Sequence, residues 1–260
     1  MIPYRDDNPT LRTPVVTLVI IGVTAAAWVL VQGAGGGEAL ARSVCELGLI
    51  PGELLGRVKD GTIIPLGGGR GCRLGGGPDW HTVLTSMFMH GGWFHLIGNL
   101  WFLWIFGNNV EDSMGRVRFA GFYLLTGVLA GAAQVASDPS SPVPMVGASG
   151  AISGVMGAYL VLYPKVRVHL LIFLGFFVTT VAVPAYLMLL YWAFLQLAGG
   201  LPSLAGQGGG GGGVAFLAHL GGFVAGVALI RLFARPELVA AHRRKRVVFQ
   251  QFSGDRWYVR

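Results

Sequence analysis

Long apolar segments recur along the chain, and they restrict its possible folds more than any other feature of the sequence. A helix needs about 17–25 predominantly apolar residues to cross the hydrocarbon core of a bilayer. Six segments have this character when the apolar-rich approach to the second, from Thr82, is included. They are 14–32, 93–107, 117–136, 146–163, 181–198 and 214–233. The sequence therefore predicts an all-α, polytopic membrane protein with six transmembrane helices.

The composition supports this class and excludes several others. Hydrophobic residues make up 53% of the 260 residues and charged residues only 12%, whereas a soluble domain carries about 25% charged residues. This excludes a disordered chain, an ordinary soluble enzyme and a charge-driven nucleic-acid-binding domain. The two cysteines, Cys45 and Cys72, are too few for a disulfide framework or a four-ligand zinc site. Both lie in the loop after the first segment, and whether they pair is left open.

The segment 168–198 does not fit a simple count of spans. It is nearly uncharged, too long for one span and too short for two spans with a turn, which need about 38 residues. Pro184 divides it, and proline favours a break just before itself. We therefore expect 181–198 to cross the membrane and 168–180 to lie along the membrane interface.

The distribution of lysine and arginine predicts the orientation. Six spans place both termini on one side, and of the 19 basic residues all but five lie on that side. The positive-inside rule assigns that side to the cytoplasm. The exceptions all lie in the loop after the first span: Arg42, Arg57, Lys59, Arg70 and Arg73.

These patterns divide the chain into three parts. Residues 1–13 form a cytoplasmic N-terminus, 14–234 a six-span domain with a long external loop at 33–80, and 235–260 a basic cytoplasmic tail. The basic cluster in this tail is expected to bind anionic lipid. One alternative remains for the first span, because basic residues followed by an apolar run also describe a cleaved signal peptide.

A few polar residues fall inside the predicted spans, where they are costly. His95 and Asn99 share one helical face of the second span, Ser149 lies in the fourth and His219 in the sixth. Each alone has a structural explanation, as helix packing or as a hydrogen bond between helices. His95, Ser149 and His219 lie about five residues into three helices that run in the same direction, about 7–8 Å below the outer boundary, and Asn99 lies one turn deeper.

Their chemistry is complementary as well. Small residues on the faces of the fourth and sixth spans let those helices pack closely, which brings Ser149 opposite His219. A serine beside an imidazole is an activated nucleophile. Free backbone N–H groups at the helix start, with His95 and Asn99, have the composition of an oxyanion hole. The predicted spans contain no Asp or Glu, so the sequence predicts a Ser–His dyad without a buried acid.

Three short motifs carry a resemblance to a known family. They are His-Gly-Gly-Trp-Phe-His-Leu-Ile-Gly-Asn at 90–99, Gly-Ala-Ser-Gly at 147–150 and Ala-His-Leu-Gly-Gly at 218–222. In this order the chain resembles the rhomboid family of intramembrane serine proteases, in its bacterial six-span form. At the position four after the nucleophile some members carry a tyrosine that stacks on the catalytic histidine, and this chain has Ser153 there.

The resemblance implies a role for each matched residue. Ser149 corresponds to the nucleophile and His219 to the general base. His95, Asn99 and the backbone N–H of Ser149 correspond to the oxyanion hole. The supporting positions are His90, Gly147 and Gly150.

The resemblance also implies a setting and a partner. We expect an integral protein of a bacterial plasma membrane that cuts transmembrane segments of other proteins near the outer leaflet, without metal or cofactor. The glycine run Gly208–Gly213 is expected to form a flexible loop that caps the site. Two alternatives remain: an inactive relative that binds and escorts membrane proteins, and a small transporter that uses the polar residues as a relay.

Overall fold

Helices account for most of the chain in the computed structural model, which describes residues 2–67, 69–75, 77–175, 177–204 and 214–255. The run Gly208–Gly213 lies outside the described residues. Ten α-helices are present within the described ranges. They are α1 (Val15–Leu30), α2 (Gly37–Leu47), α3 (Pro51–Leu54), α4 (Thr82–Thr85), α5 (Trp93–Met114), α6 (Arg116–Ser137), α7 (Ser149–Leu162), α8 (Ala185–Leu204), α9 (Phe216–Phe233) and α10 (Pro236–Asp255).

Three of these helices are long and apolar enough on their own to cross a membrane. Within the described ranges they are α6, the Ala185–Pro202 part of α8, and α9. Helices α1 and α7 are apolar but shorter, at 16 and 14 residues. Helix α5 has 22 residues but carries polar side chains near both ends, which lowers its hydropathy. The chain is therefore a mostly helical protein of membrane type.

Helix α7 starts later than hydropathy predicts. It begins at Ser149 itself, and not at 146, because Gly147 has a φ of +127° and two prolines precede it. The Gly147 N–H donates instead to the Ser86 carbonyl at 2.9 Å. His95 and His219 are likewise only the third and fourth residues of their helices. The three polar residues therefore lie in first turns, not five residues deep as expected.

Helices α7 and α9 pack backbone against backbone. A Cβ at Gly222 would lie 2.1 Å from the Gly150 carbonyl oxygen, and one at Gly226 would lie 2.0 Å from that of Gly154. Such distances leave no room for any side chain, so glycine alone permits this approach. On α9 the contact uses Gly222 and Gly226, as the sequence predicts. On α7 the closest approach is at Gly150 and Gly154, each one residue after the serines, Ser149 and Ser153, that the sequence assigned to this face. This contact fixes the start of α7 against the first turns of α9.

Two small sheets correct the expectation of an all-α chain. Strands β1 (Ile2–Asp6), β4 (Arg167–Leu174) and β5 (Phe177–Pro184) form an antiparallel sheet in the order β1-β4-β5. The segment 168–180 is thus part of a β-hairpin, and α8 begins at Ala185 and not at 181. The β-branched residues from Val178 to Val181 favour a strand, and Gly175, with a φ of +65°, allows the turn.

The second sheet lies in the long loop at 33–80. It pairs β2 (Ile63–Gly67) with β3 (Arg70–Arg73). The question left open by the sequence is answered here, because a disulfide joins Cys45 of α2 to Cys72 of β3. Leu49 and Met145 exchange backbone hydrogen bonds of 2.9 and 2.8 Å. The long loop is therefore hydrogen-bonded to the chain segment that leads into Ser149.

Two acidic residues near the end of α5 hold the N-terminal arm. The Glu111 carboxylate accepts hydrogen bonds from the Thr17 N–H and hydroxyl, each at 2.8 Å. It thereby satisfies free N–H groups at the start of α1. The Asp112 carboxylate accepts from the Leu11 N–H at 2.6 Å. The acids that shorten the apolar part of α5 thus serve as a helix cap and an anchor.

Candidate active site

Ser149 and His219 are in direct contact. Ser149 is the first residue of α7, and His219 lies in the first turn of α9. The Ser149 Oγ is 2.7 Å from the His219 Nε2, which is hydrogen-bonding distance for an O–H donor and a ring-nitrogen acceptor. The close packing of α7 on α9 brings these two side chains together from positions 70 residues apart.

The other ring nitrogen of His219 also has a partner. Its Nδ1 lies 2.8 Å from Oε1 of Gln196, on α8. The sequence reasoning missed this residue because it looked for an acid and found none. A signal was present, since Gln196 is an amide in an otherwise apolar part of α8, and a polar residue within a membrane span needs a reason.

An aromatic ring from α8 lies beside His219. The rings of Trp192 and His219 are 6.0 Å apart and tilted by 33°. Ser153, which stands where some family members have a stacking tyrosine, donates its hydroxyl to the Ser149 carbonyl at 2.6 Å. The aromatic neighbour of the imidazole therefore comes from α8 in this chain, and not from α7.

Hydrogen-bond donors surround the start of α7. The hydrogen bond from the Ile152 N–H to the Ala148 carbonyl opens the helix, so the N–H groups at 149–151 have no acceptor within it. The Asn99 side chain is 7% exposed, and its Nδ2 has no hydrogen-bond partner within the described part of the chain. A buried amide without a partner is costly, which marks Asn99 as a donor available to a ligand.

His95 packs over Gly147. A Cβ at Gly147 would lie 2.7 Å from the His95 Nε2, so glycine is needed there for space as well as for its positive φ. The Nδ1 of His95 accepts a hydrogen bond from the Gly91 N–H at 3.3 Å. In a neutral imidazole the proton then lies on Nε2, which makes the nitrogen facing Gly147 a donor.

His90 lies behind His95 and does not line the cavity that holds the serine. Its side chain is fully buried, and its ring lies edge-on to that of His95 with centroids 5.0 Å apart. Gln32 of the α1 end holds its backbone, with bonds of 2.8 Å to the His90 N–H and 2.9 Å to its carbonyl. The sequence reasoning did not identify Gln32, whose position near His90 depends on the tertiary fold.

One open cavity of about 760 Å³ contains the predicted site residues other than His90. Its lining includes His95, Asn99, Gly147, Ser149, Gly150 and His219. Apolar side chains such as Trp93 and Trp192 form much of the remaining wall. Within the described residues, no group of histidine, cysteine or acidic side chains is arranged to hold a metal ion.

The arrangement has the parts that acyl transfer needs. A hydroxyl touches an imidazole, the imidazole touches an orienting amide, and several donors face the same space. The donors come from the α7 backbone and from two side chains of α5. The cavity beside these groups is lined mainly by apolar surface.

Comparison with known proteins gives a consistent match. The Rhomboid domain model matches residues 77–236, more than half of the chain. Over 77 residues, which are 30% of this chain and 27% of the relative, the chain is 43% identical to Rhomboid-like protein 11, chloroplastic, of Arabidopsis thaliana. Over 82 residues, 32% of this chain and 16% of the relative, it is 42% identical to Rhomboid protease GluP of Bacillus subtilis.

A human relative gives a longer match at lower identity. The chain is 30% identical over 124 residues to the presenilin-associated rhomboid-like protein, mitochondrial, of Homo sapiens, across 44% of this chain and 32% of the relative. In all three comparisons the match spans less than a third of the relative's length. The family model, by contrast, includes every site residue that the sequence predicted, from His90 to His219. The chain therefore belongs to the rhomboid family.

Proposed function

We propose that this chain is an intramembrane serine endopeptidase that cuts transmembrane segments of other membrane proteins near the outer leaflet. Ser149 is the nucleophile and His219 the general base. The observation that carries the proposal is the 2.7 Å contact between the Ser149 Oγ and the His219 Nε2. This contact lies at a helix start, in a cavity of about 760 Å³.

The chemistry follows from the positions of the donors and acceptors. The Ser149 oxygen attacks the scissile carbonyl carbon while its proton passes to the His219 Nε2. The negative charge that forms on the carbonyl oxygen is held by the Ser149 N–H, the Asn99 amide and the His95 Nε2–H. His219 then gives its proton to the leaving amine. A water molecule, deprotonated by the same imidazole, releases the acyl group from Ser149.

The proposed topology has six spans: α1, α5, α6, α7, α8 and α9. They form the domain at 14–234, between a cytoplasmic N-terminus at 1–13 and a basic cytoplasmic tail at 235–260, in a bacterial plasma membrane. The length of α7 supports a site below the outer surface. Its 14 residues span about 21 Å, against about 30 Å of hydrocarbon. The irregular chain before Ser149 must then descend into the membrane, which is tolerated where it lines a water-filled cavity.

Two lines of support favour a protease over a protein that only binds membrane proteins. The paired serine and imidazole are both present and in contact, and a protein that merely binds has no need of this pair. One relative, from Bacillus subtilis, is a rhomboid protease by name. A relay for transport fits less well, because the polar residues of the cavity gather at one end of their helices.

The test is cleavage of a transmembrane test substrate by purified protein in liposomes. We expect Ser149→Ala and His219→Ala each to lower kcat at least about 10³-fold, because members of such a pair act as a unit. Ser137→Ala is the matched control, since its hydroxyl bonds only a carbonyl at the end of α6, and it should cleave at the wild-type rate. If Ser149→Ala cleaves the substrate at the wild-type rate, the proposal of a serine protease is refuted. A folded wild-type protein that binds the substrate but never cuts it supports the inactive relative.

A further inference from the structure

A polar residue on α8 has no function in the Ser–His dyad as the sequence predicts it. Gln196 is 9% exposed, on a helix whose other described side chains near the site are apolar. Burying an amide costs free energy unless it is hydrogen-bonded. Its Oε1 lies 2.8 Å from the Nδ1 of His219. The buried amide therefore has its partner in the imidazole of the site.

The orientation of the amide indicates which imidazole nitrogen carries the proton. The Gln196 Nε2 donates to the Trp192 carbonyl at 3.5 Å, so the oxygen of the amide is the atom that faces His219. An oxygen can only accept, so Nδ1 must be the donor and carry the proton. The Nε2 of His219 is then free to accept the hydrogen of the Ser149 hydroxyl. This is the tautomer that a general base needs.

We propose that Gln196 is a third member of the catalytic unit, a positioning residue that holds His219 in its reactive tautomer and orientation. This inference rests on the proposed function. During the reaction the Nδ1–H remains bonded to the amide oxygen while Nε2 takes the serine proton and passes it to the leaving amine. A neutral acceptor stabilises the imidazolium less than a carboxylate does, but it costs far less to bury within a membrane.

The packing of α8 supports this role. Near its C-terminal end, a Cβ at Gly199 would lie 2.6 Å from the Phe216 ring, and one at Gly200 would lie 2.9 Å from the Leu217 side chain. The two glycines let α8 approach the first turn of α9, the turn that holds His219. Trp192, one turn before Gln196, lies beside the same imidazole. One face of α8 thus places Gln196 at the Nδ1 of His219 and Trp192 beside its ring.

The experiment compares two substitutions at Gln196 with a matched glutamine. Gln196→Leu keeps the volume and removes the acceptor, whereas Gln196→Glu keeps an oxygen in the same place. Gln134→Leu is the control, because the Gln134 Oε1 also bonds α9, but at the backbone N–H of Ala218, at 3.2 Å. For each protein kcat, KM and the rate of Ser149 labelling by a fluorophosphonate are measured per folded molecule.

We expect Gln196→Leu to lower kcat and the labelling rate about 10-fold or more, with KM within about twofold, because an orienting bond to the base is lost. Gln196→Glu should keep a clearly higher rate than Gln196→Leu, and Gln134→Leu should match the wild type. If Gln196→Leu does not fold, Gln196→Met provides the same comparison. A wild-type kcat for the leucine or methionine variant overturns the inference. So do equal losses for leucine and glutamate, which indicate a packing role.

The outcomes separate this inference from the proposed function. If Ser149→Ala still cleaves, the protease itself is refuted, and Gln196 has no reaction to assist. If Ser149→Ala is inactive and Gln196→Leu keeps the wild-type kcat, the dyad stands and only the third member is refuted.

Discussion

Asn99 is a buried amide whose nitrogen has no hydrogen-bond partner in the described part of the chain. If this donor holds the oxyanion, Asn99→Ala should lower kcat about 10-fold or more and leave KM nearly unchanged, because the bond forms mainly in the transition state. If it only joins helices, the melting temperature should fall and kcat should hold. The measurement is cleavage kinetics beside a thermal melt.

A second asparagine on the same helix is the control for this prediction. Asn108 lies near the other end of α5, where its Nδ2 donates to the Thr10 hydroxyl at 3.1 Å. Asn108→Ala removes the same side-chain amide, together with its hydrogen bond to Thr10, at a position far from Ser149. It should change stability slightly and kcat not at all. A loss of kcat in Asn108→Ala equal to that of Asn99→Ala would remove Asn99 from the oxyanion site.

At the scale of residues, the sequence could predict the site residues that are polar and lie within an apolar segment. The structure brings Ser149, His219, His95 and Asn99 to one cavity, and each was a candidate because it is polar within an apolar segment. Gln196 met the same criterion but was overlooked, since the search was for an acid. Gln32 could not be found this way, because its bonds to the His90 backbone depend on how α1 meets α5.

Among the elements, strand β1 is held by a partly buried carboxyl group. Asp6 accepts a hydrogen bond from the Tyr159 hydroxyl of α7. Burial raises the pKa of Asp6 to about 7, although bonds from Tyr159 and the Asn8 backbone oppose the rise. In the unfolded chain the pKa of an aspartate is about 3.9. The folded protein therefore binds this proton more tightly than the unfolded chain does.

This difference predicts a pH-dependent stability. Between about pH 4 and 7 the folded state holds the Asp6 proton and the unfolded state has lost it, so the contribution of Asp6 falls as pH rises through this window. Asp6→Asn should have the wild-type melting temperature near pH 4. As the pH rises to about 7, its melting temperature should exceed that of the wild type by a growing margin. Thermal melts across this range measure the difference. Asp60→Asn, at an exposed loop position, is the control, and a difference for Asp6→Asn that is constant with pH would contradict the argument.

The elements show where hydropathy is a weak guide. It locates the apolar helices but not their starts, because the start of α7 depends on the positive φ of Gly147 and on its bond to the Ser86 carbonyl. It also cannot distinguish an apolar strand from an apolar helix. The hairpin of β4 and β5 was missed for that reason, although its β-branched residues favour a strand. The disulfide between α2 and β3 could not be predicted without the fold of the loop, which brings the two cysteines together.

At the scale of the whole molecule, the two ends of the bundle contain different structural features. One end carries the cavity with Ser149 and the braced loop at 33–80. The other end holds the N-terminal arm through Glu111, Asp112 and the three-stranded sheet. Helix α7 connects the two, with Ser149 at its start and Tyr159 near its end. The site is therefore built at the start of a helix that is buried along most of its length.

This polarity leads to a prediction about sidedness. If the basic side of the bundle is cytoplasmic, a reporter fused at the C-terminus should be cytoplasmic, and one inserted at Gly61 should be external. Gly61 suits the insertion because it lies in a turn with a φ of +81°, and a Cβ added there would have no other atom within 4 Å. A membrane-impermeant fluorophosphonate added to intact spheroplasts should then label Ser149, and Ser149→Ala should remain unlabelled. An external C-terminus, or labelling that requires lysed cells, would place the cavity on the cytoplasmic side. In that case the chain would cut its substrates near the inner leaflet, with the same serine and imidazole.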